Sequence, residues 1–150
     1  VSRKIYVAAA SSEIYRAVAF IHKARELGYE ITEDWPQTIF ATGKANAGLT
    51  PAQRRAAADA DALGVIEAHL VVLLVPAPPN ATQGAWWEGG IAQAVGIPII
   101  AAGAPEDRER NIFLANATEV DTDEDAIELL RLLSDLPDDG WLTPLRAPRS

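Results

Sequence analysis

LVVLLV, Leu70–Val75, is six apolar residues in a row without polar alternation. A strand with one face in water alternates apolar and polar residues, because successive side chains point to opposite faces. An unbroken run is buried on both faces, which places it at the centre of a parallel sheet covered by helices.

The surrounding sequence supplies the neighbours such a strand requires. KIYVAAA, residues 4–10, predicts a first strand that ends at Ser11-Ser12, a pair suited to capping the next helix. From Glu13 to Leu27 the residues Ile14, Ala17, Val18, Ile21 and Leu27 recur at helical spacing, and Gly28 marks the stop. Tyr29–Thr32 predicts a second strand. Residues 36–49, which hold Pro36, Gly43, Asn46 and Gly48, predict a long loop. Thr50-Pro51 then opens an alanine-rich helix ending near Ala68, with Thr as the cap and Pro at the first helical position.

Beyond the central strand, the proline-rich PAPPNATQG, residues 76–84, predicts a loop. A helix from Gly84 to Val95 and a strand from Pro98 to Ala102 follow. A polar helix or turn over 105–111, a short strand Ala117–Val120 and an amphipathic helix Asp123–Leu133 complete the pattern. From about residue 135 the tail reads as irregular. Its Trp141, Leu142 and Leu145 could pack on their own chain or cross to a partner.

Strands alternating with helices five times predict an α/β fold: a flavodoxin/Rossmann-like three-layer domain over residues 1–150, with a five-stranded parallel sheet in the order 2-1-3-4-5. Such sheets bind ligands beyond the carboxyl ends of their strands. The candidate segments are therefore Ala9–Ser12, Asp34-Trp35 and Pro76–Glu88.

Composition narrows the chemistry. Apolar residues make up 49% and charged residues 23%, an ordinary globular balance, and the net charge of −8 argues against a nucleic-acid polymer as partner. Without cysteine, and with His22 and His69 on different elements, no metal site and no thiolate nucleophile is expected. The first residues read as a strand instead of a signal core, and no apolar run approaches the ~18 residues of a membrane span. No membrane partner and a cytoplasmic location are the expectations. The chain contains no GxxxxGK[ST], no GxGxxG after the first strand and no GxSxG elbow, so Walker-type, dinucleotide and α/β-hydrolase sites lack support. No cofactor is expected.

One residue breaks the apolar pattern. Within GAWWEGGIAQAVGIPII, residues 84–100, Glu88 shares a helical face with Ile91, Ala92 and Val95, the stripe expected to meet the core. An inward carboxylate loses hydration and has a raised pKa unless something satisfies it. Glu88 is therefore either a structural residue bonded to a loop or a base or nucleophile in the cleft. Beside it, Trp86 can pack under the helix while Trp87 offers a flat surface to a planar ring. Asp34 caps a turn or holds a ligand hydroxyl, Ser11 faces the cleft as it caps, and Asp61 reads by periodicity as a solvated aspartate.

Four stretches together resemble the nucleoside 2-deoxyribosyltransferase superfamily. KIYVAAASSE, residues 4–13, looks like its first strand and serine-containing loop. DALGVIEAHLVVLL, Asp61–Leu74, looks like its D-x-x-x-I-x-x-(A/S)-D-x-V-V segment. GAWWEGGIAQAVGIPII looks like its G-T-x-x-E-x-G-x-A-x-x-x-G-K-P segment, and NIFLANATEV, residues 111–120, matches its C-terminal part. The resemblance implies that Glu88 attacks the anomeric carbon of a ribose or deoxyribose, so that the N-glycosidic bond of a nucleoside or its 5′-monophosphate is exchanged or hydrolysed. By the same resemblance Asp61 helps bind base or sugar; Ser11, Asp34, Trp35, Gly84 and Trp87 are candidate ligand contacts from their places at the strand ends and the start of the Glu88 helix. His69 and Asn80 stand where the family usually has acidic residues, and Asn80 can donate a hydrogen bond but cannot act as a base. Thr82 is suited to receive a 5′-phosphate at the helix start. A homodimer or larger homo-oligomer is also implied. Two other readings stand beside this one: an NAD-consuming enzyme like the TIR domains, and a catalytically silent nucleotide-binding module.

Overall fold

The computed structural model describes residues 2–43, 48–77, 83–103 and 111–146. Five parallel strands run β1 (Lys4–Ala8), β2 (Glu30–Ile31), β3 (Leu70–Leu74), β4 (Ile99–Ala102) and β5 (Thr118–Val120), and they lie in the order β2-β1-β3-β4-β5. The α/β fold and the expected order are both present. β3 sits at the middle with all five residues buried, its Val72 in register with Val7 of β1 and Ile100 of β4. Each strand is a residue or two shorter than its apolar run, because pairing ends before burial does.

Helices cover both faces. α1 (Ile14–Glu26) and α5 (Asp123–Ser134) pack together on one side; α3 (Pro51–Glu67) and α4 (Gly84–Ala94) pack together on the other. α3 starts as its sequence indicates: the Thr50 hydroxyl accepts the Gln53 N–H at 3.2 Å and the Gln53 side chain accepts the Thr50 N–H at 2.9 Å, a reciprocal capping box. Thr122 caps α5 through a single bond, accepting the Asp125 N–H at 3.0 Å.

Three expectations are corrected. Ser11 and Ser12 do not cap α1; they lie with Glu13 in a 3-10 turn, exposed, with no side-chain cap bond. The loop expected over 36–49 begins instead with a helix, α2 (Trp35–Thr42). Asp34 caps it by accepting the Gln37 N–H at 3.2 Å, Pro36 lies in its first turn, and Gly43 ends it at φ 62°, a left-handed conformation that glycine adopts without strain. Eight residues are too few for periodicity to reveal. The tail, expected to be irregular, holds a short helix, and of the two placements left open for Trp141 it takes the one on its own chain. Buried Trp141 stacks under the Arg3 guanidinium, 5.0 Å from the ring centre, and beside Tyr29. A last short helix, α6 (Thr143–Arg146), follows it. The turn expected over 105–111 lies almost wholly outside the described residues.

One side chain ties the carboxyl ends of two central strands to the α1/α5 layer. Arg16 of α1 donates to the Val75 carbonyl at 2.7 Å and the Ala102 carbonyl at 3.2 Å, and it grips Asp123 through two bonds of 2.7 and 2.8 Å. Arg16→Met would take this donor from the Val75 carbonyl and the Asp123 carboxylate, while the Ala102 carbonyl keeps the Val75 N–H at 2.9 Å. It should lower unfolding free energy by about 2 kcal/mol, allowing for partial solvent screening of the ion pair. Urea denaturation of the variant against wild type measures this, and an unchanged midpoint would refute the role.

Candidate active site

The cavity at the carboxyl ends of β1 and β3 arises from two irregularities. The first is the shortness of β2. On the β2 side of β1, the Ile5 carbonyl accepts the Thr32 N–H at 3.0 Å, and the next carbonyl on that side, Val7, has no strand partner. The Trp35 indole N–H takes it at 2.8 Å, so the start of α2 is pinned to β1 and α2 stands away from α3 as a wall. The second is the composition of α3. Its Gln53, Ala57, Ala60, Asp61 and Gly64 repeat at i, i+3 and i+4 spacing and present little bulk. Gly64 allows the closest approach, since an added Cβ would lie 2.6 Å from Glu33 Cβ and 3.1 Å from the Tyr6 ring.

What remains between these walls is a cavity of 390 Å³, with Glu88 on its lining together with Asp61, Glu33, Ser11, Trp35 and Gly84. This volume lies in the range of small-molecule sites. Glu88 belongs to a buried face of α4 formed by Ala85, Glu88, Gly89 and Ala92. The buried face is rotated from the expected one: Ala85 and Gly89 take the place of Ile91 and Val95, Val95 is half exposed, and Glu88 and Ala92 belong to both faces.

Glu88 is 7% exposed, and it is the one buried charged residue among those described. Burial, before any other cause, pushes its pKa up to about 8. The Asp61 charge adds to the rise, and the hydroxyl of buried Tyr6 offsets part of it. The phenol approaches the carboxyl without completing a bond of full geometry: Tyr6 Oη and Glu88 Oε2 both lack a hydrogen-bond partner. Burial and the Glu88 charge hold the Tyr6 phenol protonated well above its ordinary range. Asp61 is pushed up to about 6, first by desolvation and then by the Glu33 charge. Two carboxyls with separated pKa values therefore share one cavity, the arrangement that lets one act as acid while the other acts as base or nucleophile.

The structure brings together Glu88, Asp61, Ser11, Trp35 and Gly84, all named from sequence. Asp34 and Trp87 are not on the cavity lining. Asp34 is held by its capping bond and by Arg25 at 2.8 Å, while Trp87 is half exposed on α4 and Trp86 packs against the core. Asn80 and Thr82 lie outside the described residues. Periodicity alone missed three contributors. Tyr6 carries the sole hydroxyl on β1, Glu33 lies two residues beyond the end of β2, and the small residues of α3 leave room instead of filling it. Among the described residues no three His, Asp or Glu side chains group as a metal ion would require. None of the described helices is long and apolar enough to cross a membrane.

No family model matches the chain, and no curated protein does. The crystal structure of a conserved protein from Enterococcus faecalis V583 is similar, with a TM-score of 0.61 and 19% identity over 88% of this chain and 99% of that one. Likeness at this identity speaks for the fold alone.

A buried carboxyl with an unmet oxygen has a thermodynamic signature. The folded state holds the Glu88 proton up to about pH 8, whereas an unfolded glutamate releases it near 4.5, so this residue's contribution makes stability fall between those values and level off above them. Glu88→Gln removes that dependence. The variant should gain about 2–4 kcal/mol on wild type between pH 5 and pH 8.5. Denaturant titrations at both pH values check this, and a pH-independent gap would show that the carboxyl is not buried.

Proposed function

We propose that the protein cleaves or exchanges the N-glycosidic bond of a nucleoside or nucleotide, with Glu88 as the nucleophile. The observation that supports this is the buried Glu88 carboxyl, whose Oε2 is unpartnered, on a cavity large enough for such a ligand. The resemblance of GAWWEGGIAQAVGIPII to the glutamate segment of nucleoside 2-deoxyribosyltransferases supports the choice of bond.

In this reading the C1′–N bond breaks with its electron pair leaving on the base, and a Glu88 oxygen bonds to C1′ as positive charge develops there. A dry carboxylate stabilises that charge more strongly than one in water. The reactive form carries its proton on Asp61 instead of on Glu88, the minor arrangement near neutral pH with values of about 6 and about 8, and Asp61 passes that proton to the departing base nitrogen. Water or a second base then attacks C1′, breaks the ester and restores the carboxylate. Tyr6, buried beside the Glu88 carboxyl, stays protonated and does not react. Self-association, which the resemblance implies, has half-exposed apolar groups available in Leu63 and Ile66 on α3 and Trp87 and Val95 on α4.

The test incubates nucleosides, their 5′-monophosphates and NAD with and without a second free base, and separates the products chromatographically. Base release or exchange should fall by about a thousandfold or more in Glu88→Ala. Nicotinamide release from NAD alone would transfer the reading to a TIR-like activity. Ligand binding that survives Glu88→Gln, with no turnover in wild type, would make the protein a binding module.

The pH profile separates the two carboxyls. Catalysis requires Glu88 ionised and Asp61 protonated, so kcat/KM should be bell-shaped with limbs near 6 and 8, values that belong to the coupled pair. Asp61→Asn removes the acid and should convert the bell into a single rise, centred below about 8 because the Asp61 charge no longer adds to the Glu88 shift. A variant profile that still falls above that pH would exclude Asp61 as the proton donor.

A further inference from the structure

The charge on the cavity wall bears on what can enter. Glu33, Asp61 and Glu88 all lie on the lining, and among the described lining residues there is no lysine, arginine or histidine. The nearby Arg25 is engaged by Asp34 at 2.8 Å and is not on the lining. Acidic side chains on a surface would mean little. Here Glu88 is more than nine-tenths buried and lines the cavity, so a ligand meets its carboxyl in a desolvated setting where a hydrogen-bond donor or positive charge is favoured. The N-terminus of α4, where Gly84 reaches the lining, contributes a partial positive charge. That half charge is outweighed by carboxylates on the opposite wall.

Glu33 occupies a particular place in this arrangement. Its Cβ fills the notch left by Gly64, so the side chain is set against α3, and its charge acts on Asp61. Two carboxyls facing one cavity repel each other until a group carrying N–H donors or positive charge satisfies them. A phosphate brought into the same space would meet like charge on a low-dielectric wall.

We propose that Glu33 is a specificity-determining residue: with Asp61 it makes the cavity select uncharged or cationic, donor-bearing ligands, such as nucleosides with an amino-substituted base, and reject the 5′-phosphorylated forms. The choice of nucleosides rests on the function proposed above; the charge selectivity does not depend on turnover.

Binding therefore tests it directly. Calorimetric titration of the wild-type chain with adenosine and cytidine, and with their 5′-monophosphates, should give monophosphate affinities about tenfold or more weaker. Raising the salt concentration should narrow that ratio. Glu33→Gln is near-isosteric and should cut the discrimination several-fold, mainly by improving monophosphate binding; Asp61→Asn should act in the same direction. Melting curves establish that each variant is folded, and the wild-type salt series remains decisive if either is not. Monophosphates that bind as tightly as nucleosides, or a ratio unmoved by salt and by both substitutions, would overturn the proposal. Selective binding without base release would leave it standing and defeat the glycosidic reading instead.

Discussion

Because β1 and β3 are buried on both faces, the sheet offers a ligand only its strand ends, and everything specific to this protein is built there. The decisive detail is that β2 stops after two residues. A longer β2 would pair with the Val7 carbonyl and carry the chain past the cavity mouth. Instead the Trp35 indole takes that carbonyl, and the backbone turns at Asp34 into α2. One side-chain hydrogen bond thus replaces a ladder bond and converts a sheet edge into a cavity wall.

The opposite wall follows from bulk. Alanine and glycine along α3 let its backbone lie near Tyr6 and Glu33, with no large side chain to occupy the space between α3 and α2. Alanine is the best helix former, so α3 keeps its stability while giving up packing on this face. The apolar side chains displaced from the interior, Leu63 and Ile66, stand half exposed on α3. A helix selected only for packing would turn them inward. Gly64 and Val65 face the core in their place.

Legibility in the sequence followed the strength of each physical signal. The fold rested on LVVLLV and on alternating periods, which reflect burial over many residues, and the order 2-1-3-4-5 followed from short, right-handed connections. Glu88 was visible because a charge in an apolar stripe is a local contradiction, even though Ala85 and Gly89, not Ile91 and Val95, complete that stripe. Asp61 was legible only through resemblance, since alanines on both sides of a helix give no phase. Glu33 and Tyr6 carried no such contradiction. Their relation to Glu88 depends on contacts between β1, the β2–α2 link and α3, which no local pattern encodes. Trp35 was seen as a candidate ligand contact, yet its indole N–H is committed to Val7. Tryptophan at a strand end reads alike in sequence whether it faces a ligand or a carbonyl.

The unpaired Glu88 oxygen is the feature least explicable by folding alone. A buried carboxyl would be more comfortable as glutamine or leucine, and protein interiors seldom leave such an atom without a donor. Tyr6, buried beside it, could have completed the bond and silenced the group; instead both oxygens remain open. Asp61 raises the Glu88 pKa, and Glu33 raises that of Asp61, so each acid makes the next harder to ionise. Such a chain of repulsion is relieved by the arrival of positive charge or donors and by little else. Stability forgone at Glu88 is therefore binding energy held for a cationic centre, strongest when charge develops next to the carboxylate.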